Sequence, residues 1–181
     1  MPKVPVSENP EVVVARLPLS YLALFVGERV NELVLEHLHA QGFPELRHSH
    51  GYVFQHLLGA ARPISELALL LGVSQQAASK SVRELAEWGY LEDQASADGR
   101  VRRVKLSERG RSAVQKARSA RSEIERRALA RVSPQAHQAV ARVLGNMLEH
   151  LGGTERVRRR LLTSPAPVEA KAAPSERPKR R

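Results

Sequence analysis

The stretch Ile64–Leu91, "ISELALLLGVSQQAASKSVRELAEWGYL", reads as two short helices joined by a tight turn. The first runs from Ile64 to Leu71, and the second from Ser74 to Glu87, ended by Gly89. Two helices that cross steeply over a turn of a few residues form a helix-turn-helix. The crossing needs a small side chain on the first helix, and Ala68 supplies it. The turn needs a residue that accepts left-handed backbone, and Gly72 does so without steric cost. Ser74 is an N-cap for the second helix, and Ala78, Val82, Leu85 and Ala86 form its apolar ridge. At 3.6 residues per turn, Gln76, Lys80 and Arg83 then share the opposite face, with Ser79 beside them and Gln75 near the amino end. Such side chains suit any solvated helix face. They are also the types that read base edges and phosphates: Gln on adenine, Arg and Lys on guanine, Ser on either.

The next stretch weighs on that choice. Residues 96–110 read "SADGRVRRVKLSERG", with "YLEDQ" (90–94) and "RRVKL" (102–106) as strand candidates on either side of a turn at Asp98-Gly99. Arg100, Arg102, Arg103, Lys105 and Arg109 crowd into this hairpin, while the stretch itself contains only Asp98 and Glu108 as acids. A cluster of like charge on a short hairpin implies an anionic surface facing it. A helix-turn-helix followed directly by such a hairpin is a winged helix, with the outer-facing helix suited to a major groove and the wing to the backbone or the minor groove. A carboxylate at Asp98 can hold the Arg100 guanidinium at the wing tip, or it can serve as a plain Asp-Gly turn. The DNA-facing set is therefore Ser74, Gln75, Gln76, Ser79, Lys80 and Arg83 on the helix, and Asp98, Arg100, Arg102 and Arg103 on the wing.

Outward from this lobe the chain is helical. Leu19–Ala40 carries Leu22, Phe25, Val26, Val30, Leu33, Val34 and Leu38, an apolar surface wide enough to be buried on two sides. A second helix is expected from Pro44 to about Leu58, with Leu46, Val53, Phe54, Leu57 and Leu58 inward. After the wing, Ser107 caps a helix reaching about Arg131 with a thin stripe of Val114, Ala117, Ala120, Ile124 and Ala128. Ser133-Pro134 opens the last helix by a capping Ser and a Pro at its first position. That helix carries Ala136, Val140, Val143, Leu144, Met147, Leu148 and Leu151 and stops at Gly152-Gly153. The organisation expected is a flexible arm (1–16), helices for dimerisation and a ligand pocket (17–58), a DNA-binding lobe (59–110), C-terminal dimerisation helices (111–153) and a disordered basic tail (154–181). The fold class is mainly α with one small β-hairpin. The two long apolar helices at the chain ends lack a full partner within a small monomer, which suggests an intertwined homodimer.

Bulk composition agrees. The formal net charge is +10 in 181 residues, of which residues 154–181 contribute +6, from nine Lys/Arg and three Glu. A basic chain points to nucleic acid or an anionic membrane surface. No apolar run is long enough to span a bilayer and the amino end lacks a signal-peptide core, so a cytoplasmic location without a membrane partner is expected. There is no cysteine, which excludes disulfides, thiolate metal sites and thiol switches.

At these residues the chain resembles the MarR family of bacterial winged-helix regulators. That family's wing has Asp-x-Arg, then Leu-Thr eight and nine positions after the Asp, then Gly three later. Asp98, Arg100, Leu106 and Gly110 match, with Ser107 for Thr. Upstream, Ser65, Glu66, Leu67, Ala68, Leu71, Gly72, Val73, Ser74, Val82, Leu85 and Gly89 also match, and the likeness covers about residues 19–153. It implies a dimer whose two recognition helices enter successive major grooves of a pseudo-palindromic double-stranded operator. It further implies repression relieved by a small effector. Family members that sense peroxide use a first-helix cysteine, which this chain lacks. Pro63 stands where the family often has a capping Ser or Thr, and Trp88 replaces a commonly charged residue.

The family's ligand pockets lie between the first two helices and the DNA-binding lobe, which makes Arg47, His48, His50, Tyr52 and Phe54 the expected lining for an aromatic or carboxylate effector. The same residues also suit a surface or a dimer contact. His37 with His39, and His48 with His50, diverge on a helix, and none of the seven histidines pairs at the i, i+4 spacing of a helical metal site; neither metal nor cofactor is expected. No nucleophile-elbow, phosphate-loop, dinucleotide or zinc-protease pattern occurs, so an enzyme is not expected. The competing function is an architectural protein that binds DNA without choice of sequence.

Overall fold

The computed structural model describes residues 14–94 and 102–158. The first described element is a 3-10 turn at Val14–Arg16, inside the stretch read as a flexible arm, followed by α1 (Leu19–Ala40). Then follow α2 (His48–Leu57), β1 (Arg62–Pro63), α3 (Ile64–Leu71), α4 (Gln75–Glu87), β2 (Leu91–Gln94), β3 (Arg103–Leu106), α5 (Glu108–Ala128), α6 (Pro134–His150) and α7 (Thr154–Arg158). The expected fold class holds: a helical body with a small antiparallel sheet in the order β1-β3-β2.

The helix-turn-helix forms for the local reasons read from its residues. Gly72 ends α3 in the left-handed region (φ 66°), and Val73 N–H closes the cap on the Ala68 carbonyl. The Ser74 hydroxyl accepts the Ala77 N–H at 3.2 Å, starting α4. Leu67, Ala68 and Leu71 on α3 bury against Ala78, Val82 and Leu85 on α4. The wing strands pair Leu91 with Leu106, Glu92 with Lys105, Asp93 with Val104 and Gln94 with Arg103. Val104 and Leu106 point into the core, while Arg103 is exposed, as the period of two requires. The Ser107 and Ser133 hydroxyls cap α5 and α6.

One core unites Val34 and Leu38 of α1, Phe43 and Leu46 of the following turn, and Val53, Phe54 and Leu57 of α2. It extends through the helix-turn-helix to Tyr90, Leu91, Val104, Leu106, Ala113 and Ala120. Only the carboxyl half of α1 takes part. Leu24, Phe25 and Val26 are exposed, and no residue of α6 is fully buried, so most of its apolar stripe lies open in the single chain, with Leu144 and Met147 half-buried.

Four expectations need correction. The second helix starts at His48, not Pro44, because Phe43–Leu46 closes a turn (Leu46 N–H to Phe43 carbonyl, 3.3 Å) that buries both apolar ends. The link before α3 contains a strand: Arg62 and Pro63 pair with Val104 and Arg103, adding a third strand to the hairpin. The helix after the wing ends at Ala128, not Arg131. The first five residues of the stretch read as disordered tail form helix α7.

Candidate DNA-binding face and effector cavity

On α4, Gln75, Gln76, Lys80 and Arg83 are exposed and Ser79 is half-buried, while Ala78, Val82 and Leu85 hold the opposite side in the core. The polar row read from the sequence is therefore a continuous outer face, with Ser74 exposed at its amino end. Its first N–H groups carry the partial positive charge of a helix start, which attracts phosphate. Lys80 and Arg83 make no ion pair among the described residues.

The wing is less uniformly free. Asp98 and Arg100, the proposed tip pair, lie outside the described residues. Arg102 Nε donates to Asp93 Oδ1 at 2.7 Å, and Lys105 Nζ lies 3.1 Å from Glu92 Oε1. The acids that balance these cations come from the facing strand, which a count of acids within 96–110 overlooks. Both pairs are exposed, so they add little stability and a phosphate can compete for either cation. Arg103 stays exposed on β3 and forms no ion pair among the described residues. Arg109, counted with the wing cations, folds back instead. Its guanidinium lies 4.5 Å above the Tyr90 ring and donates to the Trp88 carbonyl at 2.8 Å.

A cavity of about 450 Å³ lies between α1, α2 and α5. Arg47, His48, Tyr52 and Phe54 line it as expected. His50 does not, and is corrected: it is buried on the far side of α2, where Nδ1 accepts the Arg47 N–H at 3.2 Å and the ring packs 5.7 Å from Trp88. Burial, then the nearby Arg47 charge, push the His50 pKa down, while Glu84 opposes them. The sequence reading missed the other wall: Asn31, Val34 and Leu38 from α1, and Ala117, Arg118 and Arg121 from α5. Arg121 donates to the Asn31 side chain, tying the two walls together. The thin stripe of α5 was legible, but not that its neighbouring arginines close a cavity. The lining contains three arginines and no carboxylate, a composition that favours an anion with an apolar body. Among the described residues no group of three or more His, Asp or Glu is arranged for a metal ion, and no helix is long and apolar enough to cross a membrane.

A family model described as "MarR family" matches residues 46–100, from the end of the α1–α2 turn through the helix-turn-helix into the wing. No curated protein matches the chain. Among solved structures, it is similar to MepR of Staphylococcus aureus, a transcription regulator of the multidrug efflux pump MepA. Identity is 19% and the TM-score 0.59, over 75% of this chain and 99% of that one. A mutant MepR from the same organism bound to an oligodeoxyribonucleotide aligns at 17% identity and TM-score 0.56, over 75% and 99%. Wild-type apo MarR of Escherichia coli aligns at 18% and 0.56, over 73% and 98%. The MarR family consists of transcription regulators, not enzymes. Residues 46–100 match the MarR family model, and the chain shares the winged helix-turn-helix fold of the MarR and MepR structures.

Proposed function

We propose that this protein is a sequence-specific regulator of transcription that binds a pseudo-palindromic double-stranded operator as a homodimer. It acts as a repressor and is released by a small anionic effector. The observation that carries the reading is the exposed row Gln75, Gln76, Lys80 and Arg83 on α4, backed by a buried ridge and flanked by a basic wing. A duplex major groove admits one helix of this kind. The DNA-bound MepR relative supports the same partner.

The dimer is supported by the apolar surface that the single chain leaves open. Leu24, Phe25 and Val26 on α1, with Val140 and Val143 on α6 and Leu151 at its carboxyl cap, are each about half exposed or more. A second copy would cover both helices. The effector reading rests on the cavity and its three arginines. Binding there would act on α1, α2 and α5 together, and so on the spacing of two recognition helices.

The test is selection of a binding site from random duplexes, followed by footprinting with excess competitor DNA and light scattering of the free protein. A protected site with two related half-sites and a dimer mass are expected. Equal affinity for random DNA would instead favour the architectural reading.

A further inference from the structure

We infer that Arg109, acting with Tyr90 and Glu45, is a positioning latch that fixes the carboxyl end of α4 against the turn between α1 and α2. The inference rests on reading α4 as the recognition helix, and adds which residues set its angle.

The latch is a convergence of three elements on one guanidinium. Arg109 sits in the first turn of α5. One arm, Nη1, donates to the Trp88 carbonyl at the carboxyl cap of α4, 2.8 Å away. The other, Nη2, reaches the Gly42 carbonyl at 3.3 Å, Glu45 Oε2 at 3.3 Å and Tyr90 Oη at 3.2 Å. Tyr90, fully buried, donates its own hydroxyl to Glu45 Oε2 at 2.8 Å. Its ring packs against Phe43 and Phe54. Burial and the bond to Glu45 push the Tyr90 hydroxyl up to about 12, so it stays a donor.

This chemistry needs arginine. The planar fork presents donors in two directions at once and stacks on an aromatic face, whereas an ammonium is a point charge on a flexible stem. A cation at the carboxyl end of α4 also meets the negative end of that helix's dipole.

The position of the latch gives it leverage. α4 has 13 residues, so it is about 20 Å long. It is held at its carboxyl end and would read DNA toward its amino end, at Gln75, Gln76 and Ser79. A tilt of about 5° at the latch would move that reading end by roughly 2 Å, enough to misplace a bidentate base contact. The turn that holds the latch also borders the cavity: Leu46 and Arg47 line it, directly after Glu45. An occupant pressing on Leu46 and Arg47 would thus act one residue from the latch.

The experiment compares Arg109→Lys, Arg109→Gln and Glu45→Gln with the wild type. Each is titrated with the wild type's selected duplex and with a random duplex, at one salt concentration well below the melting temperature. Trp88, the chain's single tryptophan, reports the site by its emission. Phosphate contacts tolerate a small tilt and base contacts do not. The ratio of specific to random affinity is therefore expected to fall by about tenfold in both Arg109 variants, with the emission of Trp88 shifted. Random-duplex affinity should stay within about twofold for Arg109→Lys, which keeps the charge. Glu45→Gln should lower the ratio less, since Gly42 still anchors the fork. An unchanged ratio in the folded Arg109 variants overturns the latch. So does a parallel fall of both affinities, or loss of the helical circular dichroism signal in all three variants. A wild type without preference for any duplex refutes the recognition-helix reading itself, and the latch with it.

Discussion

Gly110→Ala is expected to destabilise the protein although it adds a single methyl group. Gly110 lies in the first turn of α5, where Ser107 Oγ accepts its N–H at 3.1 Å. A Cβ built there would collide with the carbonyl oxygen of Tyr90, far inside van der Waals contact, and come within 3.1 Å of Leu106 Cδ2. Tyr90 cannot give way: its side chain is fully buried, and the same carbonyl accepts the Ser107 N–H at 3.0 Å. The first turn of α5 would have to lift by roughly 1 Å to restore ordinary separation. Overpacking of this kind costs about 1–3 kcal/mol, and the better helix propensity of alanine returns up to about 1 kcal/mol. With an overpacking cost at the middle of that range, about 2 kcal/mol, the net loss is about 1–2 kcal/mol, a fall in melting temperature of about 2–8 °C for a chain of this size. Urea titration followed by circular dichroism, and by the emission of the single Trp88, measures it. A variant as stable as the wild type would refute the close approach of α5 to Tyr90, and with it the geometry at the base of the wing.

Three more outcomes are expected. Arg83→Ala and Lys80→Ala should each weaken operator binding. A base contact would cost about 1–3 kcal/mol and relax specificity, and a phosphate contact would lower the salt slope by about one; mobility shifts at three salt concentrations separate the two. Arg100→Ala, at the position the sequence assigns to the wing tip, should weaken operator binding by roughly 1–3 kcal/mol and leave the melting curve unchanged. Burial lowers the His50 pKa from its ordinary value of 6.5. The unfolded chain therefore takes up a proton first, and stability present above about pH 6.5 should be lost as pH falls toward the lower folded value. His50→Gln should flatten that loss in urea melts between pH 7 and pH 5, and an identical pH dependence in the variant would contradict it.

Most of the fold was legible because its signals are local. Ser74, Ser107 and Ser133 each cap the helix their position announces, and Gly72 turns where only a left-handed residue fits. The errors arose where a distant partner decides. Pro44 followed by a polar, helix-forming run looks like a helix start, yet burying Phe43 and Leu46 together outweighs it and the turn wins. Arg62-Pro63 carries no strand pattern of its own, and becomes a strand only because β3 offers it a free edge. The candidate site shows the same division. The outer face of α4 follows from helical periodicity, and the structure presents it as read. Pairing of Arg102 with Asp93 follows from hairpin register, not from a count of neighbouring acids. His50 faces Trp88 and not the cavity because it stands about 200° around α2 from both His48 and Tyr52, which line it. Arg109, read as one more wing cation, is held by Gly42, Glu45 and Tyr90, contacts 19 to 67 residues away in sequence.

Binding of the purified protein to the DNA flanking its own coding region, footprinted with and without a large excess of random duplex, tests the central claim most directly. A protected site of two related half-sites, about one helical turn apart and resistant to competitor, is the predicted result. Protection that spreads along the probe and vanishes with competitor would contradict it.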